Sequence, residues 1–299
     1  MYGLRYDTGS MPAMPVRQDA YESMFRKEKS MQVIAVTGGK GGVGKTNIAV
    51  NLGVSMSREG LDVLLLDADL GLANVDVILG MSVGPTLADV VAGTHKLADV
   101  IVEGPDGLRI VPASSGVARL ATLGQSEQNE LVRSFSEQIE APDVLLVDTG
   151  AGIDTTVQTF VSACKTVVVV VCDEPASLTD AYALMKVLRN ERGVRRFEIL
   201  TNQVDKPSQG RQVYDRLTTV TDKYLDVELG YLGAIPTDAY LRRAVQERVA
   251  LVSQYPRSPA AVAIRDAGRR LSRNIYDGSV PGMGFFVEQL LRQPNASRH

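Results

Sequence analysis

A glycine-rich segment with two lysines occupies residues 39–46, where the sequence reads Gly-Lys-Gly-Gly-Val-Gly-Lys-Thr. The spacing Gly39-x-x-x-x-Gly44-Lys45-Thr46 fits the P-loop pattern without a gap. Phosphate oxygens pack too closely for side chains to reach each one, and the glycines at 41, 42 and 44 let backbone N–H donors approach instead. Lys45 would place its charge at the β and γ phosphates, and Thr46 would offer a hydroxyl to Mg²⁺. The segment therefore predicts binding of ATP or ADP with Mg²⁺.

Three aspartates follow strand-like runs and are the candidate ligands for metal and water. Asp67 and Asp69 come after Val63–Leu66, and Asp148 comes after Val144–Val147. Ligands of open α/β sheets lie beyond the carboxyl ends of the strands, so these carboxylates are expected beside the P-loop. Asp148 would engage Mg²⁺ through water, Asp67 would hold the metal side of the site, and Asp69 would orient the attacking water. An exposed acidic turn is the alternative for Asp67 and Asp69. The catalytic residues predicted from these patterns are Lys45, Asp69 and Asp148.

Seven short apolar runs alternate with segments of helix length, and these elements would position the site. Behind the P-loop, Ile48, Leu52 and Met56 repeat at every fourth position before Gly60 ends the segment. Runs rich in β-branched residues without polar alternation are typical of parallel strands covered on both faces. The sequence predicts an α/β fold with one doubly wound, mostly parallel sheet of the P-loop NTPase class. The predicted strands are Val33–Val36, Val63–Leu66, Leu108–Val111, Val144–Val147, Val167–Val171, Phe197–Leu200 and Tyr231–Ile235.

The 299 residues divide by composition into three parts. Residues 1–30 mix methionine, proline, glycine and charge without a long apolar segment, which predicts a flexible N-terminal segment and no signal peptide. Residues 31–275 would form the nucleotide-binding domain, for which an apolar content of 44% is ample. Residues 276–299 would form a C-terminal tail. The apolar runs fall far short of the roughly 20 residues that span a bilayer, so we expect no integral membrane protein.

Charge and cysteine usage limit the function classes. The net charge of −3 argues against a generally basic nucleic-acid binder, and no specific nucleic acid is expected as a partner. Eight arginines between residues 241 and 273 stand against two acids. Such helices are usually solvated faces, although a basic patch can also meet anionic lipid or an acidic partner. Cys164 and Cys172 flank one apolar run and are interpreted as small buried residues of a cytosolic protein.

The segment after the fifth predicted strand reads Cys-Asp-Glu-Pro-Ala-Ser-Leu-Thr-Asp over residues 172–180. Ser177 and Asp180 fit a capping box variant, which predicts a helix from there to about residue 190, with Gly193 beyond it. Asp173, Glu174 and Asp180 are expected either at a plain surface helix start or at the ligand edge, where they would help form a dimer face.

The segment from Gly282 to Arg292 predicts an amphipathic helix. At about 100° per residue its apolar residues share one face, while Glu288, Gln289 and Arg292 lie opposite and Phe285 alone falls on the polar side. Such a helix binds a membrane surface marginally as one copy and gains avidity as two copies on a dimer. The alternative is a helix docked on its own domain, and both states could alternate. The candidate membrane residues are Met283, Phe286, Val287, Leu290 and Leu291.

The early lysine of the loop, Lys40, resembles a feature of the MinD/ParA ATPases, whose deviant Walker A loop carries a lysine at this place. In that family the lysine crosses a dimer interface to contact the nucleotide of the partner. The resemblance therefore implies a homodimer held together by ATP and dissolved by hydrolysis. It also implies nucleotide contacts by the loop residues Gly39, Lys40, Gly41, Gly42, Val43, Gly44, Lys45, Thr46 and Asn47, and adenine contacts by Asn202, Pro236 and Asp238. An ordinary asparagine turn is the alternative for Asn202.

Beyond the loop, the chain looks like the flagellar number regulators of the MinD-like family (FlhG/FleN type) from about Met31 to Pro294. The most specific stretches cover residues 67–76, 172–175 with 179–184, 220–227 and 285–288. This resemblance implies an ATPase that restrains the master flagellar transcription activator and associates reversibly with the inner face of the cell membrane. It also implies work with the signal-recognition-type flagellar GTPase and with flagellar switch-complex proteins. Relatives that stimulate that GTPase carry an N-terminal Asp-Gln-Ala motif, whereas this chain has Gln18-Asp-Ala20.

Other functions are compatible with the same loop and carboxylates. A ParA-like ATPase that positions DNA or cargo would use the arginine cluster for nonspecific DNA binding. A MinD-like division-site regulator is a further alternative. A nucleotide-gated binding protein with negligible turnover would keep the P-loop without serving as an enzyme, and an iron–sulfur reductase would need cysteines that bridge a dimer.

Overall fold

A computed structural model describes residues 30–69, 75–81, 84–86, 89–90, 92–112, 132, 140–273 and 280–291 of the chain. The strands are β1 (Ser30–Gly38), β2 (Val63–Ala68), β3 (Val102–Glu103), β4 (Arg109–Val111), β5 (Val144–Ala151), β6 (Thr166–Cys172), β7 (Arg196–Val204), β8 (Glu228–Pro236) and β9 (Val280–Pro281). The helices are α1 (Lys45–Arg58), α2 (Val75–Leu79), α3 (Leu97–Val100), α4 (Thr155–Ala163), α5 (Pro175–Arg192), α6 (Pro207–Tyr224), α7 (Ala239–Glu247), α8 (Leu251–Gln254), α9 (Pro259–Ser272) and α10 (Gly282–Leu291). A 3₁₀ turn covers Pro105–Gly107.

The strands form one sheet in the order β3-β4-β2-β5-β1-β6-β7-β8, and its neighbours run parallel except β3 beside β4. The P-loop leaves the sheet from its centre, because β1 lies between β5 and β6. In the register of β2 with β5, Asp67 stands opposite Asp148. The predicted parallel α/β sheet is confirmed, and its carboxyl edge carries the P-loop and both aspartate-bearing strand ends together.

Helices cover both faces of the sheet. Along β1, Val33 and Ala35 join a core shared with α4, α5 and α6, whereas Ile34 and Val36 join a core shared with α1, α8 and α9. All four side chains are fully buried. Burial on both faces explains why the strands read as continuous apolar runs rather than alternating ones.

The elements differ from their predicted bounds at several ends. Each of the seven predicted strands is present, and most extend by one to four residues at either end, because pairing with neighbours recruits flanking residues that lack an apolar signal.

The prediction of a capping box at Ser177 is wrong. The helix α5 begins at Pro175, and the Ser177 Oγ instead accepts a hydrogen bond from the Cys172 N–H at 3.0 Å. Gly193 ends the helix in the left-handed conformation, as expected.

Two short strands have no sequence signal. The strand β3 pairs antiparallel with β4 at the edge of the sheet, and β9 pairs antiparallel with the start of β1, where Met31 stands opposite Val280. Two residues are too few to show a period, so only the tertiary neighbours reveal these strands.

The C-terminal helix α10 lies on its own domain. Met283, Phe286 and Val287 are buried in the core shared with α4, and Leu290 and Leu291 pack against that core while partly exposed. Phe285 also packs there although the helical projection put it on the polar side, because the helix lies in a groove against α4 and β1 rather than on a flat surface. In this structure the tail helix is therefore docked on its own domain, which is the second of the two predicted states. None of the described helices combines the length and apolar content that crossing a bilayer requires.

Candidate functional site

The P-loop wraps the start of α1 in a shape that only glycine takes easily. Gly42 and Gly44 have φ of 79° and 91°, in the left-handed region, and Gly44 is the N-cap of α1. A Cβ at Gly39 would lie 2.2 Å from the Asp180 carbonyl oxygen, so α5 packs directly on the loop. The unpaired N–H groups at the start of α1 and the helix dipole make this loop an anion site. The structure thus brings together the predicted loop residues from Gly39 to Asn47.

Lys45 lies under the loop as a buried charge. Its residue is 7% exposed, and burial lowers the pKa of its ammonium group, while Asp148 and Asp69 act against that shift. A buried lysine without such partners would lose its proton rather than stay charged. The aspartates at the ends of β2 and β5 therefore reduce the shift that burial imposes on the pKa of Lys45.

Asp148 is the most perturbed acid at this edge. Burial raises its pKa to about 8, the negative charges of Asp67 and Asp69 add to the rise, and the nearby Thr46 hydroxyl and Lys45 ammonium act in the opposite direction. Both carboxyl oxygens of Asp148 are inaccessible to solvent and have no hydrogen-bond partner among the described residues, although the Thr46 hydroxyl is close enough to lower the pKa. Buried carboxylate oxygens are nearly always satisfied in folded proteins. Such an unsatisfied carboxylate beside a hydroxyl fits a Mg²⁺ ion that arrives with its own water shell and phosphate ligands.

The Asp67 carboxylate accepts two hydrogen bonds from backbone N–H groups. One of its oxygens accepts a hydrogen bond from the Asp69 N–H at 3.1 Å, and the other accepts from the Val75 N–H at 3.3 Å. The side chain thereby ties both ends of residues 69–75 to the sheet. Asp67 thereby supports Asp69. The Asp69 side chain lies against Gly150, because a Cβ added at Gly150 would come within 3.4 Å of the Asp69 Oδ1. A metal role for Asp67 stays a prediction. The contact that the structure shows is the hydrogen bond through which Asp67 positions Asp69.

Lys40 is at the rim of the loop and pairs with Glu174, the N-cap residue of α5. The hydrogen bond to Glu174 raises the pKa of the Lys40 ammonium. Both side chains are well exposed, at 38% and 55%, and exposed ion pairs contribute little to stability. The pair therefore holds Lys40 within its own subunit without preventing it from moving to another anion. Asp173, the residue before Glu174, is paired instead with Arg216 and Gln209.

Asn202 contacts the loop from the end of β7. Its Nδ2 donates to the Val43 carbonyl oxygen at 2.8 Å, and the neighbouring Gln203 donates from its Nε2 to the Gly42 carbonyl oxygen at 3.3 Å. Gln203 has φ of 58°, a conformation that is uncommon for a residue with a side chain and that clusters at functional sites. The sequence analysis missed Gln203, and its position next to Asn202 at a strand end is the only signal that could have suggested it.

Pro236 is the last residue of the next strand, β8, and Asp238 comes two residues after it. Pro236 pairs with Val204 at the end of β7 and so lies at the same edge as Asn202. Asp238 caps α7, where its two oxygens accept hydrogen bonds from the Tyr240 and Ala260 N–H groups at 2.8 Å and 3.0 Å. An adenine contact by Asp238 stays a prediction. The observed contacts make it the residue that fixes the start of α7 against α9.

The comparisons with known proteins agree with this site. Residues 34–252 match the CobQ/CobB/MinD/ParA nucleotide binding domain family. The chain is 48% identical over 265 residues to the antiactivator FleN of Pseudomonas aeruginosa, covering 88% of this chain and 95% of FleN. It is 34% identical over 276 residues to the flagellum site-determining protein YlxH of Helicobacter pylori, covering 91% and 93%. The MinC:MinD cell division protein complex of Aquifex aeolicus superposes with a TM-score of 0.64 at 29% identity, covering 80% of this chain and 95% of that one.

The chain therefore belongs to the MinD/ParA family of nucleotide-binding ATPases. Its similarity to FleN and YlxH confirms the predicted likeness to flagellar regulators within that family.

Asp148→Asn tests the buried carboxyl group through the pH dependence of stability. Because the pKa of about 8 in the folded state exceeds the ordinary aspartate value of 3.8, the folded state binds more protons than the unfolded state between these values. Stability from this group is fully present at low pH and is lost as pH rises toward 8, by up to about 1.4 kcal/mol per pH unit. Asp148→Asn should flatten that decline in urea unfolding of the nucleotide-free protein.

The exposed Asp222, changed to Asn, serves as the control, because its side chain contacts solvent rather than the site. Parallel stability curves for the wild type and Asp148→Asn across about pH 5 to pH 8 would show that Asp148 is ionised in the folded state and would contradict this account.

Proposed function

We propose that this protein is a switch ATPase that limits flagellum number by restraining the master flagellar transcription activator. The observation that carries the proposal is the 48% identity to an antiactivator over nearly its whole length. The second relative, a flagellum site-determining protein, belongs to the same process and also matches almost end to end. Activity would be controlled by the nucleotide, because the P-loop site holds a buried lysine and a buried aspartate whose pKa values are both shifted by burial.

We infer the following roles at the site. The loop N–H groups and Lys45 would bind the phosphates, and Thr46 with Asp148 would hold Mg²⁺ and its water. When bound, Mg²⁺ supplies charge that offsets the charge developing on the transferred phosphoryl group. Asp69 would orient the attacking water, and Asp67 would hold Asp69 through the Asp69 N–H. Hydrolysis is proposed to be slow and to depend on a partner or a membrane, as suits a switch.

A homodimer is proposed to form through ATP. Lys40 projects from the rim of the loop, where its only described ion-pair partner is the exposed Glu174. The γ phosphate of a partner subunit would offer a more concentrated negative charge than Glu174 and would attract the lysine across the interface. Residues around the site fit an interface, since Ile153 after β5 and Val77 in α2 are 48% and 60% exposed.

Reversible membrane association is proposed to follow release of α10. The helix packs on α4, and α4 begins at Thr155, directly after the loop that follows Asp148. A rearrangement of that loop with the γ phosphate would therefore act on the surface that holds α10. Released, the helix would present its apolar face to an anionic lipid surface from the cytoplasmic side. The proposed further partners are the signal-recognition-type flagellar GTPase and switch-complex proteins.

The arginine cluster gives little support to the alternative of DNA partition. Arg269 pairs with Glu59, Arg243 pairs with Glu247, and Arg270 donates to the Leu232 carbonyl oxygen at 2.7 Å. Arginines that are occupied within the protein are less able to release counterions from a DNA backbone.

Asp69→Ala should bind ATP as well as the wild type, accumulate as a dimer with ATP and Mg²⁺, and hydrolyse ATP at least about a hundredfold more slowly, because it lacks the water-orienting carboxylate. Light scattering with a phosphate-release assay measures both effects. In cells, the trapped dimer should give fewer flagella than the wild type by electron microscopy.

Asp76→Ala is the matched control, since Asp76 is a carboxylate of the same segment that accepts from the adjacent Val77 N–H. Loss of ATP binding in Asp69→Ala would refute the role of Asp69, and an unchanged flagellum count alongside a trapped dimer would refute the flagellar function.

Changing Leu290 and Leu291 to Glu should weaken ATP-dependent cosedimentation with phosphatidylglycerol vesicles at least about tenfold, because two apolar side chains are lost from the membrane face. These two leucines are only partly buried in the docked state, so the domain should keep its core. A change of the exposed Glu288 to Gln is the control. Cosedimentation that is equal in the leucine variant and the wild type would contradict the anchor.

A further inference from the structure

A cavity of about 490 Å³ lies at the edge of the sheet opposite to the P-loop. It is lined by the first residues of β1, β6 and β7, by Tyr231 and Leu232 of β8, and by the last turn of α9. Its size is in the range of small-molecule sites. Since the P-loop is at the carboxyl ends of these strands, a molecule in this cavity would not meet the nucleotide.

The cavity exists because the strands start with polar residues on a face that is otherwise apolar. By strand register, Gln32, Thr166 and Glu198 point to the same face as Ile34 and Val168, which are core residues packed against α1 and α9. Gly230, opposite Glu198, leaves the space that the Glu198 carboxylate fills, as a Cβ there would come within 2.2 Å of the Glu198 Oε2. The last turn of α9 covers one side of this polar row with Arg270 and Leu271.

Gln32 offers an unused acceptor at the cavity. The residue is 1% exposed, and its Nε2 donates to the Leu271 carbonyl oxygen at 3.2 Å. Its Oε1 is inaccessible to solvent in the described structure and has no hydrogen-bond partner. A buried carbonyl oxygen without a donor is costly, so a turn of the Gln32 amide toward the cavity would let this oxygen accept a hydrogen bond from a ligand N–H or O–H group.

Three cations surround the same space. Lys165, Arg196 and Arg270 line the cavity with one carboxylate, Glu198, so the four side chains sum to a charge of +2. Arg270 is held in place by its hydrogen bond to the Leu232 carbonyl oxygen, and Arg196 approaches Glu198 at 3.5 Å. Burial raises the pKa of Glu198, with Arg196 acting against the shift. Guanidinium groups in a partly enclosed space favour carboxylate or phosphate ligands.

We propose that this cavity is a second ligand site, which binds a small organic phosphate or carboxylate that also carries N–H or O–H donors. The anionic end meets Lys165, Arg196 and Arg270, and the donor end meets the Gln32 Oε1 and the Glu198 carboxylate. A bound molecule bridges the start of β1 to the end of α9. The site is independent of the proposed flagellar function and of the nucleotide.

The test titrates O-phospho-L-serine, which carries a phosphate, a carboxylate and an ammonium group, into the full chain saturated with Mg²⁺ and ADP. Isothermal calorimetry should show one site per chain. Inorganic phosphate and L-serine, which each hold only part of these groups, should bind at least about tenfold more weakly. Equal affinity of phosphate and phosphoserine would contradict the donor end, and the absence of saturable binding would overturn the site.

Two adjacent arginines supply matched variants. Arg196→Gln removes a cation of the cavity and should weaken phosphoserine binding by about tenfold, whereas Arg195→Gln, outside the lining, should leave it within about twofold. Gln32→Met keeps the side-chain length and removes the acceptor, and it should weaken phosphoserine while leaving phosphate unchanged. Equal losses in the Arg195 and Arg196 variants would mean nonspecific attraction and would refute the proposal. Thermal unfolding of each variant reports whether the fold is intact.

Discussion

The ammonium group of Lys45 is a positive charge placed under a loop, and the rest of the site depends on keeping it there. Burial lowers the pKa of this ammonium group, and two aspartates from different strands act against that shift. Asp148 comes from β5 and Asp69 from the end of β2, and the sheet order places both strands on one side of β1. The carboxyl group of Asp148 is itself buried, and its oxygens have no hydrogen-bond partner among the described residues. The protonation of Asp148 and the charge of Lys45 therefore depend on each other. A nucleotide with Mg²⁺ would therefore enter a site in which Lys45 and Asp148 are already in place and the Asp148 oxygens still have no hydrogen-bond partner among the described residues.

The same arrangement connects the site to the surfaces that a switch would use. From Asp148 the chain passes through the loop around Gly152, whose N–H donates to the Gly38 carbonyl oxygen at 3.2 Å, and then into α4. Helix α4 carries α10 on its outer side. On the other flank of the loop, α5 packs on Gly39 and supplies Glu174 to Lys40. A change at the γ phosphate would thus reach both the lysine at the rim and the docked tail through direct contacts. This is a path of physical contact, and coupling along it follows only if each element has two stable positions.

The sequence predicts the parts of this molecule whose signals are local. The P-loop, the aspartates at strand ends and the parallel sheet follow from spacing, burial pattern and chain order, and the structure has each of them. Contacts between distant segments carry no such signal, as with Asn202 and the Val43 carbonyl oxygen, which are 159 residues apart. The amphipathic pattern of α10 is the same for a membrane and for a core, so only packing distinguishes the docked state. The polar cavity at the strand starts is lined by residues from five elements. In the sequence each of these residues looks like part of an ordinary strand or helix end, so no local pattern predicts the cavity.

The central claim is that Lys40 leaves Glu174 to complete the nucleotide site of a second subunit. Multi-angle light scattering of the wild type, Lys40→Ala and Glu174→Gln with ADP or with ATP and Mg²⁺ tests it most directly. The account predicts a wild-type dimer with ATP and a monomer with ADP. Lys40→Ala should bind ATP yet stay monomeric, and Glu174→Gln should dimerise at least as readily as the wild type because it frees the lysine. An undiminished ATP-dependent dimer of Lys40→Ala would contradict the account.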